Sequence, residues 1–354
     1  MKYGPPEANR FKHRCTRSDV LSVAVVGAGI SGITCARALV DQGFRVRVFD
    51  KARGPGGRMS TRRDGSRSFD HGAQYFTVRD GGFARSVDSW RREGIVEKWS
   101  VPTAVIEGGR ATVMKDDTVR WVGVPGMNAV CARMAADLDV SFETRVGNVE
   151  RIENRWLLEA ENGTKLGRFE ALVVSAPAPQ TAELLESAAP ELAARANEVK
   201  TTSCWAVMVS FSRPLDLDFD RAFVHDSPLS WVAHNTSKPK RPDDEAWILH
   251  GTPDWSSEHL DIDAESAAER LLVAFNDAIG GLGGDPSKMV AHRWRFALPT
   301  AVLADACLFD PKLRLAICGD WCGGPRVEGA YLSGCTAAAR LGAMSRSSSA
   351  LDTR

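Results

Sequence analysis

Leu21-Ser22-Val23-Ala24-Val25-Val26-Gly27-Ala28-Gly29-Ile30-Ser31-Gly32 opens the readable part of this chain, and Arg45-Val46-Arg47-Val48-Phe49-Asp50 answers it about thirty residues on. Leu21–Gly27 is apolar on both faces, the pattern of a strand buried inside a parallel sheet. Ser31–Gln42 places Ile33, Ala36, Leu39 and Val40 at helical spacing and stops at Gly43. Arg45–Asp50 alternates as a second strand. The whole is a βαβ unit of the length a crossover needs. Gly27 permits the tight turn, Gly29 lets the backbone approach a diphosphate, and Gly32 lets the helix pack closely on the strand. The N–H groups around Ile30 and Ser31 then face the diphosphate with the positive end of the helix dipole. Asp50 ends the second strand, where a carboxylate accepts from ribose hydroxyls and disfavours a 2′-phosphate. Strand, glycines, helix, strand and acid in register read as a dinucleotide site.

The next segment bears on which dinucleotide. Lys51-Ala52-Arg53-Gly54-Pro55-Gly56-Gly57-Arg58-Met59-Ser60 follows the ribose-binding strand directly. Its glycine turn at Gly57 and the cations Lys51 and Arg58 offer charge-assisted bonds to a second stretch of phosphate. A simple NAD dehydrogenase has no need of this feature; FAD fits it.

Beyond this unit the pattern predicts a hairpin, Trp156–Glu159 and Lys165–Arg168 around Asn162–Gly163, then a buried strand Ala171–Ser175. Thr181–Val199 reads as one helix. Trp205–Ser210 and Trp247–His250 read as strands on either side of a Pro- and Lys-rich loop, 237–242. Ala264–Ile279 is an amphipathic helix ended by Gly280–Gly284. Leu313–Gly319 is a last buried strand, and Ala330–Leu341 a helix rich in small residues.

Composition excludes other classes. With 354 residues the chain is long enough for about two domains at roughly 150 residues each. Forty-five basic and 45 acidic side chains give a net charge of +0, which argues against nucleic acid or an electrostatic membrane clamp as partner. No apolar run reaches the ~20 residues of a spanning helix, so a soluble, cytoplasmic protein is expected. Residues 1–19 are polar, lack a signal-peptide core and read as a flexible leader. The eight cysteines form no paired framework, and Cys318 and Cys322 flank Gly-Asp-Trp rather than forming a CxxC. Free thiols are expected, with neither metal nor disulfide chemistry. There is no Gly-x-Ser-x-Gly elbow and no HExxH.

Together, Gly27–Gly32, Asp50-Lys51, Gly56-Gly57-Arg58-Met59, Phe69-Asp70-His71-Gly72-Ala73-Gln74-Tyr75-Phe76-Thr77, Trp121–Met127, Gly319-Asp320-Trp321 and Arg326-Val327-Glu328-Gly329-Ala330 resemble the flavin amine oxidase superfamily, and within it the bacterial renalase-like flavoproteins. The resemblance runs from about Val20 to Leu341. It departs at His71, where the family usually has an apolar residue. It implies an α/β fold: a p-hydroxybenzoate-hydroxylase-like FAD domain with a Rossmann-type sheet, carrying an inserted α+β substrate domain. The expected division gives 20–80, 140–180 and 305–345 to the FAD domain, and 81–139 and 181–304 to the substrate domain.

The implied cofactor is non-covalent FAD. The implied activity is hydride removal from isomeric dihydronicotinamides, 2- or 6-dihydro-NAD(P), to give β-NAD(P)+, with O₂ reoxidising the flavin to yield H₂O₂. Partners are then a small nicotinamide substrate and O₂. Besides the residues above, Met59, Gly72, Ala73, Gln74, Asp320, Val327 and Glu328 are expected at the cofactor. The dipole of the helix opening at Val327 suits a reduced anionic flavin, although Glu328 also reads as a plain first-turn carboxylate. For the substrate pocket, hydride transfer asks for a flat aromatic wall and polar hooks more than for acid–base groups. Trp231 and Trp294 are the candidate wall, with Gln74, His234 and His250 as hooks. Two readings compete: a flavin amine or polyamine oxidase, against which three tyrosines in the chain count modestly, and a non-catalytic FAD-binding protein. A covalent cysteinyl flavin is disfavoured by the placement of Cys318 and Cys322.

Overall fold

The computed structural model describes residues 20–351, with side chains as far as 344; the leader expected at 1–19 lies outside the described residues. A six-stranded sheet is built on the βαβ unit. Its order is Leu308–Asp310, Leu315–Ile317, Ala171–Val174, Ser22–Val26, Arg45–Phe49, Asp139–Ser141, all parallel except the first pair. The Val- and Ile-rich inner strands are buried on both faces. One face packs on the helices Ile30–Asp41 and Val327–Leu351 through Val23, Val25, Ile33, Leu39 and Ala338. The other packs on the antiparallel strands Val146–Ile152, Arg155–Ala160 and Lys165–Phe169 through Phe49, Trp156, Leu172 and Ile317.

One expectation changes. The helix read over Thr181–Val199 is two helices, Ala178–Leu185 and Pro190–Asn197. Pro190 lacks the N–H that a continuous helix would use and instead sits in the first turn of the second helix. Asp139–Ser141 joins the parallel sheet beside Arg45–Phe49, and the two helices at 178–197 pack into the same core.

A seven-stranded sheet carries the second half of the molecule, in the order Pro286–Pro299, Thr201–Phe211, Glu245–Gly251, Leu229–His234, Arg221–Val224, Thr103–Glu107, Arg110–Met114. The two strands read from sequence, Trp205–Ser210 and Trp247–His250, are adjacent in it. Strand parity gives it two different faces. Trp205, Val207, Val209, Trp247 and Leu249 pack against the helix Ala264–Ala278 through Leu271 and Phe275. Met208, Ala246, Ile248, Trp231 and Ala233 face the other way, toward Phe69, Met59 and Phe76 of the dinucleotide-binding half. No helix among the described residues is long and apolar enough to cross a membrane.

Candidate active site

The two glycine turns read from the sequence are laced together. The Gly56 N–H donates to the Ala28 carbonyl at 2.9 Å, and Gly29 and Gly56 form a β-bridge. A side chain on Gly57 would stand 3.3 Å from the Gly29 Cα, whereas one on Gly29 would meet nothing within 4 Å. That open side leaves room for a ligand to come close to the backbone. No side chain caps the helix that starts at Ile30 and no acid lies in its first turn, so its leading N–H groups are left for an anion. The Ser31 hydroxyl is buried without a partner. Gly32 packs so closely that a Cβ would lie 2.0 Å from the Gly27 carbonyl. The Asp50 carboxylate accepts the Ala28 N–H at 2.5 Å and the Ala52 N–H at 2.7 Å, which fixes it across the turn at the strand end. Lys51 is exposed beside it.

Arg58 and Asp320 meet across the far end of this groove through two hydrogen bonds of 2.7 Å, and Arg58 also donates to the Ala297 carbonyl at 3.0 Å. Met59 is buried behind Arg58. Gly72 and Ala73 run alongside: the Ala73 N–H donates to the Arg58 carbonyl at 2.8 Å, and a Cβ on Gly72 would sit 2.0 Å from that same oxygen. Glu328 does not reach into the groove. It accepts the Arg79 and Asp80 N–H groups at 2.7 Å each, bracing the start of the last helix, next to Val327, against the Gly72–Asp80 segment. The orphan serine, the uncapped helix start, the open glycine face and the carboxylate at Asp50 suit a dinucleotide with a diphosphate.

Opposite this groove, one row crosses the seven-stranded sheet in register: Phe223 pairs with Trp231, Trp231 with His250, His250 with Ala206, and Ala206 with His292. Paired residues share a face, so Trp231, His250 and His292 stand together on the side turned to Gly72. Trp294, two residues on, stacks on His71 at 5.1 Å, and His292 meets the His71 ring edge-on at 4.9 Å. Trp294 Nε1 donates to the His71 carbonyl at 2.9 Å, and His250 Nε2 lies 3.3 Å from that oxygen. Burial, then His292, pushes the His71 pKa down to about 4; burial does the same for His250, to about 4, and lowers that of His292. The wall is aromatic and uncharged at neutral pH.

Gln74 is buried and its amide is used inside the protein: it donates to the Asp70 and Gly72 carbonyls and accepts from Lys238 Nζ at 3.1 Å. His234 is a correction. It lies on the helix-covered side of the sheet, stacked on Trp247 at 5.1 Å, with Asp220 at 3.1 Å and Glu245 at 3.3 Å. Burial would lower its pKa, but the two carboxylates outweigh that and hold it at about 9. Strand alternation puts it opposite Trp231 and Ala233, so it cannot hook a ligand there.

Sequence reasoning missed a charged cluster under Gly72. Asp70, fully buried, accepts from Arg241 Nη2 at 2.6 Å, Lys238 Nζ at 3.3 Å, the Met127 N–H at 2.9 Å and Thr61 Oγ1 at 2.7 Å. Burial alone would raise its pKa; Lys238 and Arg241 hold it at about 2. Both cations come from the Pro- and Lys-rich loop at 237–242, whose prolines and lysines give no signal of burial. The seven described cysteines are free, and no group of three or more metal-ligating side chains occurs among the described residues.

The profile of the NAD(P)-binding Rossmann-like domain matches residues 25–88, and that of flavin containing amine oxidoreductase matches residues 103–342. This chain belongs to the flavin-containing amine oxidoreductase family. FAD is the cofactor expected of it. The fold resembles a provisionally named protoporphyrinogen oxidase from Exiguobacterium sp. 255-15 (TM-score 0.75, 11% identity, 91% of this chain and 98% of that one). It also resembles cyclohexylamine oxidase from Brevibacterium oxydans IH-35A (TM-score 0.72, 14% identity, 91% and 99%). A third similar structure is a putrescine oxidase variant (TM-score 0.70, 14% identity, 91% and 99%). Among curated proteins, the zeta-carotene-forming phytoene desaturase of Myxococcus xanthus is 53% identical over 38 residues, 11% of this chain and 7% of that protein. Thiamine thiazole synthase of Thermotoga maritima is 48% identical over 48 residues, 14% of this chain and 19% of that protein. The aligned part of this chain thus spans less than a fifth of either curated relative. Family membership makes the chain an oxidoreductase of flavin type.

Proposed function

We propose that this flavoprotein is a renalase-like oxidase of isomeric dihydronicotinamides, 2- or 6-dihydro-NAD(P), using O₂ as acceptor. The balance is dihydronicotinamide + O₂ + H⁺ → nicotinamide cation + H₂O₂, and non-covalently bound FAD supplies the two-electron acceptor between the two. Gly27, Gly29, Ile30, Ser31 and Gly32 would hold its diphosphate and Asp50 a ribose. Arg58 with Asp320, and Gly72 with Ala73, would line the rest of the groove.

The observation that carries the reading is the character of the facing wall. The strands Thr201–Phe211, Leu229–His234, Glu245–Gly251 and Pro286–Pro299 contain a single carboxylate, Glu245, and it is held by His234 and Trp247 on the helix-covered side. The face turned to the groove offers Trp231, His250, His292 and Trp294. A flat, uncharged dihydropyridine ring gains from such a surface by stacking and orientation. No proton has to be taken from it, so neutral imidazoles suffice. An ammonium substrate would find no counter-charge on these strands.

The competing reading, a flavin amine oxidase, draws on the family match and on the fold shared with cyclohexylamine oxidase and putrescine oxidase. Anaerobic stopped-flow separates the two. The holoprotein is mixed with 2-dihydro-NAD, 6-dihydro-NAD, ordinary NADH, spermine and benzylamine, and flavin bleaching is followed. Fast bleaching by a 2- or 6-isomer with slow NADH and amines is the expected result; bleaching by an amine alone overturns it.

A further inference from the structure

Three charges are buried together beneath Gly72, and they do not cancel. The side chains of Asp70, Lys238 and Arg241 are each 0% exposed. Lys238 Nζ donates to Asp70 at 3.3 Å, to Gln74 Oε1 at 3.1 Å and to Asn235 Oδ1 at 3.3 Å. Arg241 turns its fork on Asp70, through Nε at 3.2 Å and Nη2 at 2.6 Å, and gives Nη1 to the Pro239 carbonyl at 2.8 Å. Of all these partners only Asp70 is charged, so two cations share one carboxylate. Burial pulls the Lys238 pKa down and Asp70 pulls it back, leaving it at about 8, and the ammonium persists at pH 7. The cluster carries one net positive charge.

Hydrogen bonds join that charge to the cofactor groove. Gln74, which accepts from Lys238, donates through Nε2 to the Gly72 carbonyl at 3.0 Å, and the next N–H, that of Ala73, donates to the Arg58 carbonyl at 2.8 Å. Asp70 in turn accepts from Thr61 Oγ1 at 2.7 Å, just past the second glycine turn. The ammonium is thus two hydrogen bonds from the segment that lines the groove. The Trp99 ring covers it, with Lys238 Nζ 5.2 Å from the ring centroid, and a charge buried this way is poorly screened. The facing wall registers it: burial first, and Lys238 after it, lower the pKa of His250.

We propose that Lys238, seated with Arg241 on Asp70, is a positioning residue that acts through Gln74 and whose uncancelled charge favours the reduced form of the bound flavin. Hydride acceptance adds two electrons and one proton to the ring system, so one negative charge stays on it. A buried cation fixed in advance stabilises that charge without reorganising. The Gln74 amide extends the effect toward the groove, since its oxygen faces the ammonium and its NH₂ end faces the Gly72 carbonyl. The inference needs FAD in the groove and nothing about the reducing substrate, because a dihydronicotinamide and an amine each hand over two electrons.

The test is anaerobic equilibration of the holoprotein at pH 7 with a two-electron redox dye, reduced by xanthine and xanthine oxidase with no substrate of the flavoprotein present. The ratio of reduced to oxidised flavin at a fixed dye ratio is read from the visible bands. Lys238→Met and Arg241→Met cancel the net charge by separate cuts, and Lys238→Arg keeps it. The expected result is an equilibrium constant for flavin reduction at least tenfold lower in each methionine variant, about 30 mV for a two-electron couple, and within threefold of wild type in Lys238→Arg. Lost packing alone would move the melting temperature and FAD affinity and leave the dye equilibrium in place. Either methionine variant decides the matter by itself, so a fold lost in one leaves the other. A methionine variant whose flavin reduces at the wild-type ratio overturns the proposal, as does a Lys238→Arg flavin as hard to reduce as that of Lys238→Met. No turnover enters the readout, so failure of the dihydronicotinamide reading would not be mistaken for failure of this one.

Discussion

Arg58 and Asp320 stand 262 positions apart in the chain and close on each other through two parallel hydrogen bonds of 2.7 Å. The pair joins the second glycine turn to the strand end at Gly319 and so fixes the width of the cofactor groove. Arg58→Lys keeps the charge but loses the planar fork. Charge-assisted bonds contribute about 1.5–3 kcal/mol each when removed, and Arg58 is about a third exposed, so the lower end applies. FAD affinity, read by fluorescence on dilution, is expected to fall roughly tenfold, with unchanged secondary structure by circular dichroism.

Gly72 is a steric requirement. An added Cβ would meet the Arg58 carbonyl at 2.0 Å, and that atom is backbone and cannot swing away. Gly72→Ala is expected to yield protein that purifies colourless or loses flavin on gel filtration. A fully yellow variant of unchanged melting temperature would show that the loop yields more readily than its packing suggests.

Asp70 holds Lys238 and Arg241 with all three side chains removed from solvent. Asp70→Asn leaves two buried cations without their counter-charge, a loss of about 3–5 kcal/mol, read as a lower denaturation midpoint at pH 7. The native carboxylate titrates near 2, below its ordinary 3.8. Its contribution is therefore complete above about pH 4 and is lost as pH falls toward 2. Acid titration of stability in the variant is expected to be flatter in that window than in the wild type.

The histidines on the two faces of the large sheet give opposite slopes. His71 and His250 titrate near 4, so between about pH 6.5 and 4 the unfolded chain binds protons that the folded one refuses, and stability drops as pH falls. His234 titrates near 9, so its contribution is full below 6.5 and is lost as pH rises through 9. His250→Asn should flatten the acid limb and His234→Gln the alkaline one, each measured as melting temperature against pH. A swap of the two effects would mean that the faces have been assigned the wrong way round.

The βαβ unit was readable in sequence because each of its parts obeys a local rule: Ile33, Ala36 and Leu39 set the helix, Gly43 ends it, and Val46 and Val48 alternate. Thr181–Val199 misled because its apolar spacing is helical throughout; only Pro190, at a position where a helix can begin as well as break, carried the interruption. His234 was misplaced for a related reason. Its strand has period two, but neither Trp231 nor His234 announces which side is inward until the helix Ala264–Ala278 has chosen a face. The burial of Lys238, Arg241 and Arg221 had no local signal at all, since their partners Asp70 and Thr103 are distant in sequence.

The parallel sheet takes its central strands from residues 22–49 and from 171–174, and its closing strand from 315–317. During synthesis the glycine turns emerge first and wait for Asp320. At about 5–20 residues per second, the 262 positions between Arg58 and Asp320 correspond to a delay of roughly 13–50 s. A groove that needs both Arg58 and Asp320 is therefore complete only after most of the chain has left the ribosome.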